Sequence, residues 1–350
     1  KLIKTGKNTQ KRTEKEKRQI KYIPTTKAII TIKLIQRIKF MSMVSFFDLY
    51  TLHNSTDKIG NEFRKDAQNK ICSFCGRSSP DVSFKTIPHI IPELLGRNKI
   101  TSNFECDDCN AAYKTHEADT ATMLQHYLSL LNIKSKKGVP AFQSKKGIGE
   151  FSTTLKNRHL NFGLNNEDYQ FDYEEKKITV KFRTKHFRPF SVYKIFLKMG
   201  ISLLTDEELS QNRHYLDFLN CEIPIENGMQ VWTAFRYMFK TKYHPTPKIN
   251  LYKANNTLIG KCAYPEYVLL INFSNIVFQF FLPISNQNME EHTPKNKLQL
   301  ELFPAFVLDD IQRLNKIDVY HLDLKETKKI SITDTVVLYY DALISNDKID

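Results

Sequence analysis

Apolar positions along the chain follow two rhythms. Val192, Ile195, Phe196, Met199 and Leu203 recur at three- and four-residue steps, which predicts a helix over 192–203. Thr205 followed by Glu208 carries the capping-box pattern that opens a further helix. Period-two alternation predicts a hairpin over 171–182, and the remainder offers strands at 231–237, 249–252, 267–273 and 276–283. Nearer the start, 44–70 reads as helical, and 82–87 (V-S-F-K-T-I) as a short strand stopped by Pro88, which cannot continue a ladder. From an N-cap at Asp107 or Asp108, the run through Ala111, Leu124, Leu128 and Leu131 meets no Gly or Pro before Gly138, so a long helix is expected there. Together these elements predict an α+β protein. Phe280, Phe281, Tyr264 and Tyr267 read as core residues rather than a platform for stacked bases. The chain has no glycine-rich phosphate loop, no G-x-S-x-G and no repeat period.

Breaks in this pattern set the domain expectations: a tail over 1–43, a first module over 44–131, a basic linker over 132–150 and an α+β regulatory or target-recognition domain over 151–350. In the linker, Ser135-Lys136-Lys137-Gly138 is echoed by Ser144-Lys145-Lys146-Gly147, with Pro140 between them. At 350 residues the chain can bury an ordinary core without cysteine staples, and its balance of apolar and charged residues argues against wholesale disorder. The formal charge of +14 is unevenly spread. Residues 1–40 hold 13 Lys or Arg against Glu14 and Glu16, which leaves 39 basic and 36 acidic residues for the rest. A basic arm for nucleic acid is one expectation for the tail. The other is an upstream extension, with native translation starting at Met41 or Met43. The apolar, basic stretch 28–40 is interrupted by Lys33, Arg37 and Lys39, and no other stretch reaches about 18 uncharged apolar residues, so no membrane span is expected.

Four of the six cysteines form two pairs, Cys72-x2-Cys75 and Cys106-x2-Cys109, 30 residues apart. Two such pairs complete a closed tetrahedral site for a structural zinc ion. This use of cysteine predicts a reducing, cytoplasmic setting. The zinc would clamp an insert that carries His89 after Pro88, Asn103 in a returning loop, and Asn110 at the start of a helix. Phosphodiester hydrolysis needs a base to activate water and a cation to stabilise charge on phosphate. Imidazole titrates near neutrality, which suits His89 to the first task; an amide oxygen suits Asn110 to holding Mg²⁺ or Mn²⁺.

The order C-x2-C, His89-Ile90-Ile91-Pro92 with Leu95-Gly96, Ser102-Asn103, then Cys106-x2-Cys109-Asn110 resembles the zinc-containing branch of the HNH endonucleases over about 60 residues. The resemblance implies a zinc-stapled ββα-metal module, with His89 as general base, Asn103 orienting its loop and Asn110 holding the catalytic cation. It also implies DNA as partner and substrate, and restriction or antiviral defence as the setting. In one respect the chain departs from the family. Where many members carry a ligand directly before the base, it has Pro88, and Glu117, seven residues beyond Asn110 on the same helical face, is the substitute ligand expected. His116 and Asp119 project elsewhere and read as solvated surface. Arg97, Lys99 and the pairs Lys136-Lys137 and Lys145-Lys146 are the expected phosphate contacts. A zinc-dependent DNA-binding protein without catalysis, a nuclease gated by a small-molecule activator on the C-terminal domain, and a homodimer remain open at this point.

Overall fold

A computed structural model describes residues 46–59, 62–63, 70–135, 138–140, 142–143, 150–151, 169–226, 230–239, 244–259, 262–284, 297–303 and 318–339. The tail 1–43 and Lys136, Lys137, Lys145 and Lys146 lie outside these residues. In chain order the elements begin with α1 (Phe46–Leu49), β1 (Tyr50–Ser55), α2 (Thr56–Ile59), β2 (Glu62–Phe63), β3 (Thr101–Ser102) and the long helix α3 (Asp107–Leu130). There follow β4 (Phe142–Gln143), β5 (Glu150–Phe151), the hairpin β6 (Tyr169–Asp172) and β7 (Lys177–Arg183), then α4 (Pro189–Ile201), α5 (Asp206–Gln211) and α6 (His214–Asn220). The last group is β8 (Thr233–Met238), β9 (His244–Ala254), β10 (Leu258–Ile259), β11 (Cys262–Ala263), β12 (Tyr267–Ser274), β13 (Ile276–Phe281), β14 (Lys297–Leu298), β15 (Asp318–Asp323) and β16 (Thr333–Tyr339).

A six-stranded antiparallel sheet, ordered β1-β9-β12-β13-β8-β15, is the largest element. Its centre is the β12–β13 hairpin, in register Leu269↔Phe280 and Ile271↔Phe278, and every residue of both strands is buried. Helix α4 lies on this sheet. All 13 of its residues are buried, because α3 covers its opposite side. Phe196 meets Phe278 and Phe280 with ring centroids 5.5 and 5.8 Å apart. The approach is so close at Gly200 that an added Cβ would stand 2.9 Å from Leu282 Cδ1. A second antiparallel sheet, β16-β7-β6, packs Ile178, Val180 and Phe182 inward. One continuous apolar cluster runs from Cys72 and Phe74 through Tyr113 and Leu124 to Phe196 and Phe278.

The α+β expectation holds, as do the hairpin, the helix over 192–203, the Thr205–Glu208 capping box and the four C-terminal strands. Phe280, Phe281 and Tyr267 are fully buried core. Two expectations fail. Residues 44–70 are not one helix: after a single turn the chain enters β1, which pairs with β9 far along the sequence, from Tyr50↔Ala254 to Ser55↔Asn250. That pairing gives the backbone a ladder, and Tyr50 Oη donates to the carbonyl of Pro265 at 3.0 Å, anchoring the strand in a way that local spacing does not reveal. Nor is 82–87 a strand. Its backbone bonds instead to one carboxylate, that of Asp107.

Candidate metal centre and active site

The cysteines come together as their spacing requires. Cys72 and Cys75 flank a tight turn, Cys106 is the N-cap of α3 and Cys109 lies in its first turn. This corrects the expected cap at Asp107 or Asp108: the Cys106 sulfur accepts the Cys109 N–H, at 3.5 Å. The four sulfurs lie within 4.8 Å of one another, with Cys72–Cys109 and Cys75–Cys106 both at 3.8 Å. Sulfurs bound at about 2.3 Å around a tetrahedral zinc stand about 3.8 Å apart, so the donor set fits that ion. At Cys72 the environment also favours thiolate. The N–H of Cys106 reaches Cys72 Sγ at 3.4 Å, and the first turn of α3 presents its positive end. A hydrogen bond from Cys109 holds the Cys72 thiol well below its ordinary value, while that of Cys109 is pushed up. Four thiols in this arrangement exchange protons for a metal readily. Among the described residues, the cysteines are the group of three or more His, Cys, Asp or Glu side chains that converges on one point.

Asp107 builds the loop that carries His89. Its carboxylate accepts from the backbone N–H of Lys85 (3.0 Å) and Thr86 (2.9 Å) and from the Ser83 and Thr86 hydroxyls. These bonds hold the carboxyl far below the usual Asp range. The chain then runs antiparallel to 100–102: Ser102 N donates to Pro88 O (2.9 Å), Ile90 N donates to Ile100 O (3.0 Å), and His89 bridges to Thr101. This is a shortened form of the expected ββ pairing, with α3 following it. Between the two arms, Gly96 adopts φ +133°, a region that favours glycine, and a Cβ there would stand 3.2 Å from Pro247 Cδ.

His89 is partly exposed and has a partner that its sequence neighbourhood does not announce. Asn98 Nδ2 donates to Ile91 O (3.1 Å) and Gly96 O (3.0 Å), which fixes its amide with Oδ1 turned the other way. That oxygen accepts from Ile100 N at 3.1 Å and stands 3.3 Å from His89 Nδ1. Since Oδ1 can only accept, Nδ1 carries the proton and Nε2 holds the free lone pair. Nε2 stands 3.8 Å from Glu93 Oε1.

Along α3, Asn110 and Glu117 share a face, as the seven-residue spacing requires. Asn110 Nδ2 reaches Thr86 Oγ1 at 3.4 Å, leaving Oδ1 as its available oxygen donor. Glu117 is half-buried, and its carboxyl is raised by burial, against the pull of Lys198 and then His89. It therefore lies within electrostatic range of the imidazole. Asn103 sits in the bend after β3, two residues past the bridge partner of His89. Pro88 is buried and offers only its carbonyl, already used by Ser102.

Beneath this face lies a charge pair with no sequence signature. Lys198 of α4 meets Glu105 at 2.7 Å, with both side chains at most 5% exposed. The Lys198 ammonium also lies 4.8 Å from the Tyr113 ring centroid. Arg97 and Lys99 are exposed, and Arg97 Nε donates to Ser135 O at 3.4 Å. His116 and Asp119 are not the solvated surface expected of them. Helix α4 covers both: Asp119 is buried against Arg188 at 3.1 Å, and His116 Nδ1 bonds Ser191 Oγ at 3.0 Å.

A paired strand segment, a loop and a helix, joined by four cysteines placed to hold one metal ion and presenting one histidine, make up the candidate site. The model of the HNH endonuclease family matches residues 72–126, a segment that contains every one of these features. Neither a curated protein nor a solved structure matches the chain. Among the described residues, no helix is long and apolar enough to cross a membrane.

Proposed function

We propose that the protein is a metal-dependent endonuclease that hydrolyses DNA phosphodiester bonds, with His89 as the general base. The observation that carries this reading is the tautomer imposed on His89: Asn98 engages Nδ1, so Nε2 is the nitrogen able to take a proton from the attacking water. Asn110 Oδ1 and Glu117 are the oxygen donors on the facing helix that would hold Mg²⁺ or Mn²⁺. Such a cation, when bound, would stabilise negative charge on the scissile phosphate. The zinc of the four cysteines does no chemistry in this reading, because no coordination position is left open. Arg97 and Lys99 would contact backbone phosphates, a contribution that weakens as salt rises. For the biological setting we propose restriction or antiviral defence, which rests on the resemblance of the segment to nucleases joined to target-recognition domains.

The test is cleavage of plasmid DNA by the zinc-loaded protein with Mg²⁺ or Mn²⁺. His89→Ala should lower the rate by about 10²–10⁴, whereas Lys181→Ala, on the exposed side of β7, should leave it unchanged. Pro88 favours a second reading, a zinc-dependent DNA-binding protein without catalysis. DNA binding without cleavage, across metals and DNA forms, would select it.

A further inference from the structure

Ile87 is the most exposed large apolar side chain among the described residues, at 72%. Single apolar residues on a surface are ordinary and carry no argument by themselves. What sets this one apart is how firmly it is held and what stands on either side of it. Before it, Lys85 N and Thr86 N donate to the Asp107 carboxylate at 3.0 and 2.9 Å, and the Thr86 hydroxyl bonds the same group. After it, the carbonyl of Pro88 accepts from Ser102 N at 2.9 Å, and Pro88 itself is buried. A residue that precedes proline is confined to extended backbone, so Ile87 has little freedom of its own. Tyr173 and Ile223 are exposed to a similar degree, at 71% and 70%, but neither neighbours a candidate catalytic residue along the chain.

The two halves of the candidate active site flank Ile87. Thr86 Oγ1 lies 3.4 Å from Asn110 Nδ2, at the start of α3, and His89 follows two residues later. Exposure alternates along this run: Ile87 is exposed, Pro88 buried, His89 half-exposed and Ile90 buried. Side chains two apart on extended backbone share a face and lie about 7 Å from each other. Ile87 and His89 are thus presented to the same surface. Phosphates of one DNA strand recur at about 3.4 Å along the helix axis, so a phosphate over His89 places Ile87 within about two base steps of it. An aliphatic side chain offers nothing to a phosphate or to the hydrogen-bonding edge of a base. The apolar partner that DNA provides at that distance is the stacked face of its bases.

We propose that Ile87 is an apolar wedge that inserts between the bases beside the scissile phosphate and so selects where the protein acts. The proposal rests on the reading of this site as one directed at DNA, and adds to it a residue that decides position rather than chemistry. Insertion unstacks a base step and kinks the duplex. A side chain on a fixed loop meets that cost better than one on a mobile loop, because no ordering of the loop is required. The cost also depends on sequence: the pyrimidine–purine steps TA and CA/TG give way most readily. Selection would then come from deformability, with no hydrogen bond to a base. Arg97 and Lys99, exposed a few residues further on, would supply phosphate contacts.

The experiment uses the full zinc-loaded chain carrying His89→Ala, so that no DNA is cut, and a short duplex in which 2-aminopurine replaces adenine at TA steps. Anisotropy of an end label follows binding, and 2-aminopurine fluorescence at saturating protein follows unstacking. Expected is a fluorescence rise on binding that is lost with Ile87→Ser and kept with Ile87→Leu. Both variants should keep the Tm and zinc content of the parent, since the side chain stands mostly in solvent. Bound duplex without a rise, or an equal rise with Ile87→Ser, overturns the proposal. So does weaker binding on replacing thymine by uracil with no rise, which would mean contact with the thymine methyl in the groove instead. With His89 restored, cutting should favour TA and CA/TG steps, and Ile87→Ser should even out that preference. An Ile87-dependent rise without cleavage by the unmutated chain keeps the wedge and removes the nuclease; cleavage without such a rise does the reverse.

Discussion

Asn98 gives His89 a defined tautomer because its own amide cannot turn over. Two carbonyls fix its NH₂ and leave one oxygen for the imidazole. Replacing it with Ala should therefore lower kcat more than KM, since Nδ1 loses its acceptor while the surfaces that bind DNA stay in place. Asn98→Asp keeps an acceptor at that point and should recover part of the loss; equal damage from both replacements would show that the residue serves only the loop. The convergence of the cysteines was legible in the sequence by their spacing, and His89 was singled out by the run that follows it. Asn98 was not, because its bonds are to backbone carbonyls and a ring across a loop, which leave no periodic trace. Its one available signal was an asparagine two residues beyond a glycine in a tight turn. The sequence also pointed to Asn103 for orienting the loop, and Asn98 is the asparagine whose amide engages the imidazole.

At the scale of elements, α4 was readable because its apolar residues repeat at helical spacing, and the strands after it because burial on both faces makes them nearly continuous apolar runs. Beta-strand β1 and the loop 82–87 were misread for one reason: each is decided by a distant partner, β9 in the first case and Asp107 in the second. The ion pair between α4 and the segment before α3 belongs to the same class of long-range contact. Lys198→Ala would leave the Glu105 carboxyl buried without its cation, and should cost roughly 3–5 kcal/mol in denaturant unfolding. Replacing both with Met should recover most of that. If the single and double replacements cost the same, the pair is not what joins α4 to the segment before α3.

Across the whole molecule, one core runs from the cysteines to the central sheet, so loss of the metal should be felt beyond the knuckle. One zinc per chain is expected by elemental analysis, and none when Cys72 and Cys106 are both replaced by Ser. Because ligation needs thiolates, metal should leave as pH falls and the ligand sulfurs protonate, and Tm should fall with it. A chelator that strips zinc without changing Tm would contradict this. The formal charge of +14 is concentrated in the first forty residues, so the remainder, with 39 basic and 36 acidic side chains, holds too little net charge to bind DNA by composition alone. Placement must do it.

The most direct measurement is supercoiled plasmid incubated with the zinc-loaded protein and Mn²⁺ or Mg²⁺, beside His89→Ala carrying the same zinc. Conversion to nicked or linear DNA by the first and not by the second is the predicted result. Equal conversion by both, or bound but intact plasmid with the wild type under every metal, would contradict a nuclease built on His89.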